Sequence, residues 1–136
     1  MAFRSDLPVN LSGVSSGPRG LVAVGSFDTT VLTSSGWQTL LHAGIWTSPD
    51  GRAWTRYPDN RALENIYLNR VVAMPGGDVV AVGYRLNPDA AVIVLGRDGK
   101  FGPIADGNWI GARALDVAAF DGGLAAVRWT VHRYIE

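Results

Sequence analysis

The segment GLVAVG at residues 20–25 returns as DVVAVG at 78–83 and again as GLAAVR at 123–128. Each copy follows a similar lead-in, a short apolar run that ends in a glycine-rich turn: LSGVSSGPRG, NRVVAMPGG and ALDVAAFDGG. The copies begin 58 residues apart from Leu21 to Val79, and 45 apart from Val79 to Leu124, so the unit is about fifty residues long with one insertion. A period of that size excludes most single-core topologies and points to a propeller, solenoid or array, in which each unit buries its apolar face against a neighbour.

The units read as strands. Val and Ile crowd into runs of four to seven residues bounded by Pro-Gly, Asp-Gly and Gly-Gly pairs, and no stretch keeps apolar residues at helical spacing for three turns. Seventeen glycines and seven prolines suit a chain of many tight turns. The first unit predicts strands at 11–15, 21–27, 44–47 and 53–57, and the second at 70–73, 79–85, 91–95 and 101–104. Each is a four-stranded antiparallel meander of the kind that forms a propeller blade. The best helical candidate is NRALENIYLNR at 60–70. The expected fold is therefore all-β: one domain over 1–136 with units at approximately 9–58, 68–106 and 113–136, about two and a half propeller-blade-like meanders. They are too few for a closed ring, which takes at least four blades or roughly 160 residues.

The stretch GIWTSPDGRAWTRYP at 44–58 falls where the third and fourth strands must turn. Asp-Gly is a strong hairpin signal because glycine takes positive φ at low cost. SPDGRAW resembles the Asp-box, the Ser-x-Asp-x-Gly-x-x-Trp hairpin of sialidases and related propellers, shortened by one residue. Together with GLVAVG it resembles the repeat unit of bacterial, especially actinobacterial, Asp-box (BNR-repeat) β-propeller proteins. The second unit keeps a decayed copy, GRDGKF, with Asp98, Gly99 and Phe101 in place of the tryptophan. The resemblance implies a stabilising role on the outer rim for Ser48, Asp50, Gly51 and Trp54, away from any central ligand channel. One carboxylate and one hydroxyl are also too few for a calcium ion that needs six to eight oxygens.

Sialidase chemistry, as the resemblance would have it, uses an arginine triad, a Tyr/Glu nucleophilic pair and an acid/base aspartate drawn from several blades. Two and a half units do not present that set. FRSD at Phe3 to Asp6 matches only the start of the arginine motif, and the two glutamates, Glu64 and Glu136, leave Tyr67/Glu64 as the sole local pair. If 60–70 were helical, that pair would share a face. Asp106, Asp116 and Asp121 fall in or near expected turns, where aspartate serves local hydrogen bonds. His42 and His132 stand ninety residues apart without an acidic partner at metal spacing, so no metal site and no cofactor is expected. Nucleophile-elbow, phosphate-loop and dinucleotide fingerprints do not occur. NLS at 10–12 fits a glycosylation acceptor, of consequence only in a secreted eukaryotic chain.

Composition narrows the partners. Twelve basic against twelve acidic residues give no field to steer the chain onto nucleic acid or an anionic membrane. The 47% hydrophobic content is that of a globular chain. The N-terminal sequence carries Asp6 and Pro8 where a leader needs an apolar run, so a soluble, unexported and by default cytoplasmic protein is expected. Zero cysteines remove disulfides and thiolate sites together.

The departure from the repeat is the most suggestive feature for function. Leu21 to Asp50 spans 29 residues, whereas Val79 to Asp98 spans 19, so about ten extra residues lie within SFDTTVLTSSGWQTLLHAG. Variable loops on such scaffolds carry recognition. Trp37, with Gln38 and His42, is the candidate binding group, an amphipathic ring in a polar loop. The alternative is that Trp37 tucks against the sheet and Leu40 and Leu41 lengthen a strand. The expected function is a non-catalytic propeller-type interaction or scaffold module, and the competing one a carbohydrate-binding or sialidase-related protein contributing part of a glycan site. LAAVRWTVHRYIE at the end alternates without a turn, which predicts an unpaired edge and self-association, or completion of the propeller by another chain.

Overall fold

The computed structural model describes residues 9–58, 60–86, 89–104, 112–120 and 123–130, the last two segments by their backbone. The protein is all-β. Strands β1 (Val9–Gly17), β2 (Gly20–Thr33), β3 (Gly36–Ser48) and β4 (Thr55–Arg56) form one antiparallel meander in that order. A second meander contains β5 (Ile66–Ala73), β6 (Val79–Arg85), β7 (Ala90–Arg97) and β8 (Lys100–Pro103). The third repeat supplies a two-stranded sheet, β9 (Ala112–Phe120) with β10 (Gly123–Thr130). Residues 1–8, with Phe3 to Asp6, and Asp106, Asp121, His132 and the segment 131–136 lie outside the described residues.

The sequence repeat is a repeat of register. Leu11 and Gly13 pair with Gly25 and Val24 and skip Ser12, just as Leu68 and Arg70 pair with Gly83 and Val82 and skip Asn69. In the third sheet Ala114 and Asp116 pair with Arg128 and Val127 and skip Leu115. The same β-bulge thus sits at the same place in the first strand of all three units, adding local twist where the strand crosses its neighbour. The glycines of the first two copies are required there: a Cβ on Gly25 would overlap the Asn10 carbonyl, and one on Gly83 the Tyr67 carbonyl.

Side chains alternate across each strand, so each sheet has two faces. Val22, Val24, Ala43 and Ile45 on one face of the first sheet pack against Ile66, Leu68, Val71, Ala81, Val92 and Val94 of the second in a common core. The strands β1 and β5 lie close because Gly13 faces the Arg70 backbone and Gly17 the Ala73 methyl group. Hydrogen bonds tie β1 to β5 across the seam: the Ala73 N–H donates to Ser15 Oγ (3.0 Å), and Arg70 Nη1 donates to the Ser12 carbonyl (3.0 Å). The opposite face of the second sheet, with Val80, Val82 and Ala91 buried, is the face on which β9 packs. The sheets therefore stack in sequence order, first strand against first strand.

The helical expectation for 60–70 fails. Only a single 3₁₀ turn, Arg61–Leu63, forms, capped by the Asn60 side chain accepting from the Ala62 N–H (2.9 Å), and Ile66 already begins β5. Ile66 and Leu68 are almost fully buried, and the period-two burial of IYL in the shared core outweighs local helix propensity. Glu64 and Tyr67 consequently do not share a helical face. Glu64 bridges to His42 by its backbone, while the Tyr67 ring stacks on Tyr84 at 5.1 Å.

Candidate functional site: the β2–β3 arm

The inserted residues do not form a loop. They lengthen both strands of one hairpin, so that β2 runs 14 residues and β3 runs 13, with unbroken pairing from Leu21 opposite Ser48 to Thr33 opposite Gly36. The β-branched run TTVLT supports extended backbone, and Leu40 and Leu41 do lengthen a strand. The base is anchored on both sides. Val9 pairs with Phe27 on one edge, and on the other Tyr57 N–H donates to the Ile45 carbonyl (2.7 Å) and Asn65 N–H to the Leu41 carbonyl (2.8 Å). Beyond these points no described strand pairs with either edge. Five residues of each strand then project roughly 17 Å at about 3.3 Å per residue.

The tip is a two-residue turn, Ser34 and Ser35, in which Thr33 Oγ1 accepts from the Ser35 N–H (3.2 Å) and donates to the Gly36 carbonyl (2.9 Å). Gly36 takes φ +104°, a conformation that favours glycine. Leu32 and Trp37 are cross-strand partners at this tip, 67% and 71% exposed respectively. Trp37 does not tuck against the sheet. Gln38, opposite Val31, is also exposed.

His42 does not join them. It lies at the base of the arm, 5% exposed, with its ring stacked on Phe27 at 4.9 Å and its Nε2 2.8 Å from Thr29 Oγ1. Its Nδ1 finds no hydrogen-bond partner among the described residues. Arg56 covers Phe27 at 4.4 Å from the ring centre. Buried in this packing, His42 props the arm's base and has no access to a ligand at the tip.

The other group singled out by sequence forms a self-contained turn. Ser48, almost fully buried, accepts through Oγ from the Gly51 N–H (2.8 Å), and its hydroxyl lies 3.2 Å from Asp50 Oδ1. Asp50 Oδ1 accepts from the Arg52 (2.8 Å) and Ala53 (3.1 Å) N–H groups, and Trp54 Nε1 donates to the Gly51 carbonyl (3.3 Å). Gly51 has φ +79°. Ser48 Oγ and Asp50 Oδ1 are both spent on the turn itself. The matching turn of the second sheet is tighter, with Asp98 and Gly99 at φ 55° and 77° between paired Arg97 and Lys100.

The Arg52 N–H, then that of Ala53, holds the Asp50 carboxyl below its ordinary value. A carboxylate with a lowered folded pKa contributes stability that is present above its unfolded pKa and lost as pH falls through the folded one. The melting-point gap between the wild type and Asp50→Asn is therefore expected at neutral pH and should close below about pH 4, the ordinary aspartate range. Melting curves of both proteins at pH 7 and pH 3 check this, and a gap that widens on acidification would contradict the turn's polarity.

Among the described residues no group of three or more His, Asp or Glu side chains could hold a metal ion, and no helix is long and apolar enough to cross a membrane. No protein family, curated protein or solved structure matches the sequence.

Proposed function

We propose that the protein is an interaction module of the propeller type, built on blade-like repeats, that contacts a protein partner through the β2–β3 arm. The observation that carries this reading is the exposed Leu32–Trp37 pair at the end of a hairpin whose outer five residues on each strand pair with no other described strand. Solvent-exposed tryptophan is costly to leave in water and is enriched where binding energy concentrates. Free strand edges also accept an added strand from a partner. In this reading the Ser48–Asp50–Gly51–Trp54 turn acts as an Asp-box-like clamp on the rim, a folding element and not a contact.

The test places a photo-crosslinking amino acid at Gln38 and, as control, at Arg52 on the far turn, in cells that make the protein. A discrete adduct from position 38, absent from position 52 and lost in Trp37→Ala, is expected. Trp37→Ala itself should change stability by no more than about 0.5 kcal/mol, as surface substitutions do. Equal cross-linking from both positions, or unfolding of Trp37→Ala, would contradict the reading.

A second reading, glycan contact, is favoured by Thr39, exposed and two residues from Trp37 on the same face of β3. A glycan array together with a fluorogenic sialoside assay separates the two: saturable array binding that depends on Trp37 supports it, and turnover of the sialoside would make the protein an enzyme.

A further inference from the structure

The face of the first sheet turned away from the second carries the same apolar pattern that the second sheet buries. By register, Leu11 opposite Gly25 matches Leu68 opposite Gly83, and Val14 opposite Ala23 matches Val71 opposite Ala81. Trp46 opposite Ala23 likewise matches Val94 opposite Ala81. Leu68 and Val71 are 1% and 9% exposed because the first sheet covers them, whereas Leu11 and Val14 are 49% and 65% exposed. Between them lies a groove of about 320 Å³ lined by Leu11, Val14, Leu21, Ala23 and Trp54. Its floor is prepared, since Ala23, Phe27 and Trp46 are buried together beneath it.

What covers such a face is shown by the other two seams. In both, the occupant is a sheet of the same repeat, laid first strand against first strand; at the first seam it presents the face that carries Val22 and Val24, and at the second β9 lies on β5, β6 and β7. The third sheet has Ala125 and Val127 at the register positions of Val22 and Val24. Among the described strands, those that pack on β9 come from the second sheet. We propose that the exposed Leu11 and Val14 on this face of the first sheet mark the docking surface for the third sheet of a second copy of this chain. Such a contact is heterologous, and it repeats between copies the seam that the first two sheets make within one chain. The absence of net charge leaves no long-range repulsion between copies.

This inference goes beyond the arm and stands on different residues. Sedimentation velocity of the full 136-residue chain across a dilution series tests it. A dimer, or a head-to-tail ladder, that dissociates on dilution is expected. Val14→Asp, which sets a charge in the apolar seam, should weaken that association at least about 100-fold. Its melting point at high dilution should match the wild type's, which shows that it folds. Trp37→Ala should leave the association unchanged, and Val14→Asp should leave the Gln38 adduct unchanged, so the two proposals fail separately. A single monomeric species at every concentration, or an association untouched by Val14→Asp, would overturn the inference.

Discussion

Gly83→Ala is expected to destabilise the protein by about 3 kcal/mol, at the upper end of what overpacking usually costs. The reason is a backbone collision, not a side-chain one. A methyl group at this position would overlap the carbonyl oxygen of Tyr67 and come within 2.9 Å of Leu68 Cα, on the strand directly opposite. Neither atom is the far end of a flexible chain, so β5 and β6 must separate, and with them the pairs on either side of the Asn69 bulge. Gly102→Ala is the control, since a Cβ there meets nothing within 4 Å. It should be neutral or slightly stabilising, by roughly the 0.4–1 kcal/mol that a lost glycine's unfolded-state entropy provides. Chemical denaturation of both variants checks this, and a Gly83→Ala midpoint equal to that of Gly102→Ala would mean that the bulge geometry is wrong.

That glycine was visible in the sequence as the last letter of a repeated word, but its cause was not. The repeat gave the strands closely: 79–85 was expected and Val79–Arg85 is observed, and every other expected strand overlaps an observed one. Bulges leave little trace in a single chain, because the skipped residue is polar in two copies, Ser12 and Asn69, and apolar in the third, Leu115. The arm was legible as an excess of residues and misread as a loop. Its two-residue turn is Ser-Ser, without the Asn-Gly or Asp-Gly that marks most tight hairpins, so the strands' true length was hidden. Trp37 and Gln38 could be placed on the insertion, but His42 could not be separated from them. Its burial depends on Phe27, fifteen residues earlier, meeting it across the ladder. The 60–70 segment misled because its apolar residues fit either period, and the neighbouring sheet decided between them.

The second large effect follows from the stacking order, which is the core of this account. Val71 and Val14 occupy equivalent positions in their sheets, yet one is buried between sheets and the other faces water. The chain contains no cysteine, so a single substitution at either place provides a unique thiol. Cysteine is a small apolar residue that a buried valine site tolerates. At high dilution, Val14→Cys should react with a water-soluble maleimide at close to the rate of a free thiol. Val71→Cys should react at least about 100-fold more slowly, because the reagent must wait for the two sheets to part. Equal rates at the two positions would contradict the stacked arrangement and, with it, the docking face inferred from its symmetry.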